Sequence, residues 1–192
     1  MAFKFNITSI EGVVLVESEL FRDDRGYLSE IYKRSVFEEN RLNSTFGQEL
    51  LSLSHRGVMR GLHYQLMPQP QAKLIRVLTG CIFDVVVDLR INSPSFGRWE
   101  SFELSESNKK QLWIPAGFAH GFQALEENTL ILYKISSEYS PALERGIIWN
   151  DPDLNIEWPI KDAHVSDKDC AHPRMREAEI NFYYTRREGD FP

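Results

Sequence analysis

Residues 73–90 read KLIRVLTGCIFDVVVDLR, and they decide the architecture. Two apolar runs rich in β-branched side chains are parted by Gly80. Each is short and bounded by a turn former, which predicts two strands. Working outward, the same pattern recurs at GVVLVESEL (12–20), YLSEIYK (27–33), ELLSLS (49–54), RWESFEL (98–104), QLWIPA (111–116) and TLILYKISS (129–137). A series of short strands broken by Gly, Pro, Asn and Ser favours a sandwich or barrel over alternating strands and helices. One early segment, SVFEENRLN (35–43), reads as a helix, with Ser35 as its cap and Glu38 completing a capping box. From about Pro159 the character changes, and KDAHVSDKDCAHPRMREAEI reads as loop and short helix packed outside the barrel. The expected organisation is one domain, 1–192, with residues of about 160–192 as a C-terminal extension.

With 192 residues, 42% hydrophobic and 12% aromatic, the chain can bury one sizeable core, and nothing marks a second. MAFKFNITSIEGVVLV, at the start, lacks an apolar run long enough for a secretory signal, and no stretch reaches membrane-spanning length. A soluble, cytoplasmic protein is expected. Cys81 and Cys170 are too few for a disulfide framework and are read as reduced thiols, Cys81 buried within CIFDVVVDL. A formal charge of −6 argues against a sequence-independent nucleic-acid binder. It leaves room for a pocket in which a few Arg and Lys side chains hold an anionic small ligand such as a diphosphate.

RGVMRGLHYQ (56–65) sets His63 among two arginines and two glycines, as a metal ligand, a base or a core residue. A metal-binding barrel strand carries two histidines one residue apart, plus a carboxylate and a later histidine. Here the flanking positions are Gly61 and Gln65. The later histidine exists: IPAGFAHGF (114–122) places Pro115, Gly117 and His120 in the PxGxxH pattern of cupin barrels. With half the ligand set missing, neither metal nor cofactor is expected. Lys73 follows His63 by ten residues across the loop LMPQPQA, and His120 and Tyr133 lie on later segments joined by a hairpin-like turn at 126–128. A neutral His, a Lys and a Tyr in one apolar lumen are the parts for proton abstraction beside a carbonyl: base, cation and acid. Each also has a plainer reading, Lys73 as a solvated strand end and Tyr133 as a core aromatic.

DDRGYLSE (23–30), GVMRGLHYQ (57–65), QAKLIRVLTG (71–80), DVVVDLR (84–90), NKKQLWIPAGFAHGF (108–122), ILYK (131–134), YSPALERGIIWNDPDLNIEWP (139–159) and SDKD (166–169) together resemble the dTDP-4-dehydrorhamnose 3,5-epimerase family, in order and spacing from about residue 10 to 170. The resemblance implies an all-β, cupin-like jelly roll with a few short peripheral helices. It further implies a metal-free homodimer that inverts carbons 3 and 5 of a dTDP-linked 4-keto-6-deoxyglucose on the route to L-rhamnose.

By the same resemblance His63 is the base, oriented by Asp169, and Tyr133 the acid on the opposite face. Lys73, with His120 and Arg60 nearby, stabilises the enolate oxygen. Arg25 and Glu30 match positions that reach the neighbouring subunit's substrate, Tyr139 the residue that stacks on the nucleobase, and Glu144 and Lys168 other ligand contacts; Tyr27 adds a second aromatic wall. One departure stands out: where the family commonly reads Gln-Asp-Asn, this chain has Gln48, Glu49 and Leu50, which removes an amide from a position near the ligand. Rival readings are an epimerase acting at one carbon of a dTDP- or CDP-linked ketosugar, a ketoisomerase on the same barrel, and a non-catalytic sugar-binding cupin. The ketoisomerase would carry a histidine where this chain has Gln65, and the non-catalytic cupin would need no base.

Overall fold

Alternation settles where each strand points, and in the opening stretch it sends Lys73, Ile75 and Val77 to one face and Leu74 and Arg76 to the other. The computed structural model describes residues 2–42 and 45–185. Asn43, at the end of the expected helix, and 186–192, at the end of the expected extension, lie outside the described residues.

Strands β1 (Phe3–Ile7), β2 (Val14–Ser18), β3 (Phe21–Asp23) and β4 (Gly26–Leu28) precede helix α1 (Arg34–Glu39). Next come β5 (Gln48–Ser54), β6 (Val58–Gln65), β7 (Lys73–Thr79), β8 (Cys81–Asp88) and β9 (Trp99–Ser105). The remaining strands are β10 (Gln111–Ile114), β11 (Phe118–Ala124), β12 (Thr129–Ile135), β13 (Glu144–Gly146) and β14 (His164–Val165). A one-turn helix α2 (Asp167–Cys170) and a 3-10 turn (Met175–Glu177) follow.

The strands form two facing sheets, one in the order β1-β2-β10-β7-β12-β5 and the other β13-β6-β11-β8-β9, with β14 alongside β6. Gly80 is the corner between them: β7 ends in the first sheet and β8 begins in the second. Its φ of +81° is open to glycine, and a β-carbon there would strike Thr129. Ile75, Val77, Leu112 and Ile131 from the first sheet meet Ile82, Val86, Leu104 and Phe122 from the second in a core from which water is excluded. Full burial of each such side chain contributes about 1.5–3 kcal/mol.

Both outer faces are covered by later or peripheral segments. Leu74, Val14, Val16 and Trp113 lie under Phe37, Tyr32 and Phe46. On the second sheet, Met59, Leu62, Val85 and Val87 lie under Leu154, Trp158 and Phe182. The segment after Pro159 is therefore part of the packing, tied in by β14 on β6 and by an Ile91–Tyr183 bridge.

Four expectations change. Helix α1 begins at Arg34, and its N-cap is Lys33 with no side-chain cap bond, so Ser35 and Glu38 form no capping box. Phe37 anchors it instead, with edge-on contacts to Phe3 and Phe5. YLSEIYK is not one strand: Gly26–Leu28 pairs with β3 alone, and the Ile31 carbonyl accepts a hydrogen bond from Gln111 Nε2. The strand within 12–20 is shorter than expected, Val14–Ser18. Finally, residues 126–128 do not close a hairpin, because β11 and β12 belong to opposite sheets.

Candidate active site

β6 carries the feature that builds the site. Positions 60 and 63 are three apart, and a regular strand would point them to opposite faces. The register against β11 runs His63 to His120 and then Arg60 to Phe122, so Gly61 and Leu62 together oppose Gly121 alone. This bulge lets Arg60 and His63 line one cavity, the arginine from its exposed side. It depends on Gly61, whose φ is +133° and whose absent β-carbon would lie 2.5 Å from the Gly121 Cα.

A cavity of about 700 Å³ opens there, lined by Arg60, His63, Lys73, His120 and Tyr133. Gln48 and Leu50 of β5, Tyr139 and Glu144 beyond β12, and Lys168 and Asp169 of α2 complete its wall. Arg25, Tyr27 and Glu30 are not among its lining residues. Arg25 is exposed and paired with Asp23, while Tyr27 lies under Arg22 and Lys109 on the β3–β4 hairpin.

Asp169 reaches the cavity because α2 is docked beside β6, with the Ser166 hydroxyl capping the Asp169 N–H at 3.1 Å. Its Oδ1 lies 2.7 Å from His63 Nε2, and its Oδ2 accepts the Gly61 N–H at 3.2 Å. Burial pushes the carboxyl upward, but the His63 and Gly61 hydrogen bonds outweigh it and hold Asp169 below the usual carboxylate range. An ionised carboxylate on Nε2 fixes the tautomer and leaves Nδ1 free to accept a proton.

Lys73 is buried, with its ammonium 3.4 Å from the His63 carbonyl oxygen. Burial lowers its pKa to about 8 against the pull of Asp84 and Glu144. Tyr133 packs on the core and keeps its proton far above neutrality, because burial and the charge of Asp84 both oppose the phenolate. The lysine is no solvated strand end, whereas the tyrosine does pack on the core, as its plain reading had it, and faces the cavity as well.

His120 forms a second imidazole–carboxylate pair, 2.8 Å from Asp84 Oδ2. Asp84 is fully buried, and desolvation raises its pKa while lowering that of His120. Sequence reasoning passed over Asp84, although a carboxylate inside CIFDVVVDL was the available signal. At the outer end of the cavity the Tyr139 hydroxyl donates to Glu144 at 2.6 Å, and Lys168 grips the same oxygen at 2.5 Å. Gln48 braces this corner by accepting the Tyr139 N–H at 2.9 Å. Leu50 sits opposite Tyr133 in the β5–β12 ladder and gives the cavity an apolar spot there.

A second omission is His172. With His63 and Asp169 it makes a group of donors within 4.8 Å, the kind of set that can hold a metal ion. The contact geometry is that of a hydrogen bond: Zn²⁺ at about 2.1 Å from each donor in tetrahedral geometry would separate them by roughly 3.4 Å. His63 and Asp169 stand at 2.7 Å.

The family's sequence profile, dTDP-4-dehydrorhamnose 3,5-epimerase, matches residues 7–177. The chain belongs to this epimerase family. A relative from Pseudomonas aeruginosa, named dTDP-4-dehydrorhamnose 3,5-epimerase, is 50% identical over 163 residues, 84% of this chain and 90% of that one. Among solved structures, the epimerase of that name from Bacillus anthracis, with TDP and PPi bound, is 42% identical with a TM-score of 0.89, over 91% of this chain and 100% of the other. The dTDP-6-deoxy-D-glucose-3,5-epimerase from Legionella pneumophila, in complex with dTDP-4-keto-L-rhamnose, gives 38% and 0.92, over 96% and 100%. The epimerase fold is thus the cupin-like β-sandwich expected from the sequence.

Proposed function

We propose that this chain converts dTDP-4-dehydro-6-deoxy-D-glucose to dTDP-4-dehydro-L-rhamnose by removing and returning a proton at carbons 3 and 5, each through an enolate. The observation that carries the assignment of roles is that His63, backed by Asp169, and Tyr133 line one cavity together with the buried ammonium of Lys73.

The protons in question lie beside a ketone, so their removal leaves charge on the ketone oxygen that needs a fixed cation. His63 takes the proton on Nδ1, and Asp169 stabilises the imidazolium that results. Lys73, charged at neutral pH and poorly solvated, holds the enolate oxygen, with Arg60 and His120 lining the same cavity. Tyr133, protonated throughout the working range, returns a proton to the other face; between the two carbons the phenolate regains a proton from solvent and His63 gives its proton up to solvent, which resets the pair. No metal or cofactor enters these steps. Tyr139 stacks on the base, and Lys168 and Glu144 hold the nucleotide end.

The working unit is a homodimer in which Arg25 and Glu30, with Tyr27 beside them, complete the neighbour's site. Its support is the β3–β4 hairpin, which pairs with nothing else among the described residues although isolated two-stranded ribbons are marginal in water. Phe21 and Leu28 on it are 42% and 63% exposed. Leu51 and Leu53 on the edge strand β5 are 65% and 56% exposed. An exposed free thiol at Cys170 suits a reducing, cytoplasmic setting. No helix among the described residues is long and apolar enough to cross a membrane.

The test is to incubate the protein with dTDP-4-keto-6-deoxyglucose in deuterated water and locate the exchanged carbons by NMR. Deuterium at both carbons with an L-rhamno product is expected. Exchange at one carbon would make it a single-centre epimerase, and no exchange would end the enzymatic reading of this substrate.

A further inference from the structure

His172 lies against the His63–Asp169 pair, and no step of the proposed reaction uses it. Its Nε2 is buried and has no hydrogen-bond partner. Asp169 Oδ1 lies 3.6 Å from it, the same oxygen that His63 Nε2 approaches at 2.7 Å. The two imidazoles stand edge to face with centroids 5.5 Å apart.

The ring has a seat of its own. Gly146 pairs with His63 across β13 and β6, and any β-carbon at 146 would run into the His172 ring. Directly after it, the Pro173 carbonyl accepts the Ile148 N–H at 2.9 Å, which ties the loop to the barrel. A side chain is left off one strand, and the following residue is pinned, so that an imidazole fits behind the carboxylate.

We propose that His172 is a positioning residue: by directing an Nε2–H at Asp169 it shares that carboxylate with His63, and so sets the pH at which His63 can take a proton. This rests on the reading of His63 as the base. A carboxylate facing an imidazole nitrogen selects the tautomer that carries hydrogen there. The groups that face His172 are His63 from β6, Asp169 and Lys168 from α2, and Glu144 from β13. Lys168 and Glu144 are paired with each other, so Asp169 and His63 dominate. Burial, and then the charge on His63, keep His172 below the usual imidazole range, hence neutral at working pH. A neutral N–H facing Asp169 from 3.6 Å weakens that carboxylate's hold on a protonated His63.

The experiment compares pH profiles of kcat/KM for the wild-type protein, His172→Ala and His172→Gln, whose amide can place an N–H near the position of Nε2. For His172→Ala the acidic limb is expected to move to higher pH by about half a unit or more, with kcat at the optimum down roughly tenfold and KM within about twofold. His172→Gln should restore the limb and most of the rate. An unmoved limb in the Ala variant would overturn the proposal, and so would a Gln variant that melts like the wild type yet fails to restore it. His63→Ala is run in parallel. If it still exchanges deuterium, the base assignment falls and takes this role with it; if it is dead while the limb stays unmoved in His172→Ala, only the role of His172 falls.

Discussion

Lys73 shows how one side chain can serve function at the expense of stability. Unfolded, its ammonium keeps a proton up to about 10.5; folded, it keeps it only to about 8. Between those values the unfolded chain binds more protons, so stability rises with pH across that window, and below about 8 the full cost of the buried charge is present. The difference is on the order of 3 kcal/mol at neutral pH. Lys73→Met should therefore melt several degrees higher than the wild type at pH 7, lose this advantage as pH approaches 10.5, and be inactive; calorimetry and the NMR assay check both halves. The same pKa predicts that wild-type activity declines above about pH 8, as the cation opposite the enolate is lost. His63→Ala should abolish exchange and epimerisation alike, a fall of roughly a hundredfold to ten-thousandfold. Tyr133→Phe should still exchange deuterium but invert poorly at the carbon it serves, since the enolate forms and is reprotonated from the original side. Normal inversion at both carbons would reduce Tyr133 to a wall of the pocket.

At the scale of elements, the β6 bulge is the most sensitive point. Gly61→Ala combines a disallowed φ with a β-carbon against the Gly121 backbone, and should destabilise by about 3 kcal/mol or more, read as a lower midpoint in urea. The strands buried in the sandwich, such as β7, β8 and β12, were legible because their apolar residues leave few other ways to pack. β3 and β4 were not separable, since two three-residue strands carry no periodicity to speak of. Ser35 and Glu38 resembled a cap by type and spacing alone, whereas the position of α1 is set by where Phe37 finds aromatic partners, a tertiary fact. Within the site, the roles of His63, Lys73 and Tyr133 came from chemical type plus family resemblance. Their convergence with Arg60 required the bulge, for which Gly61 was the available clue. Asp84 was readable in principle as a charge inside an apolar strand. His172 was not, because its importance lies in facing Asp169 across a turn.

For the whole molecule, the proposed dimer makes a sharp prediction. If Arg25 serves the neighbour's site, Arg25→Ala and His63→Ala proteins are each inactive alone. Mixed and reassembled, half the dimers carry one intact site, and roughly a quarter of the wild-type rate should return. No recovery, or full activity in a monomer, would contradict the shared site. The tail is the other whole-molecule feature. Truncation after Pro159 removes Asp169 and strips Val165, Met175 and Phe182 from the cluster that contains Met59 and Leu62, so it should give an inert protein that binds hydrophobic dye, which fluorescence checks. We regard the tail and barrel as one folding unit on these contacts. The His63–Asp169 bond spans 106 residues of chain. During synthesis, then, the base leaves the ribosome long before its carboxylate. If His63 is the base, a nascent chain with both sheets already paired is still catalytically silent: competence to turn over the sugar waits for residue 169 to emerge and fold back.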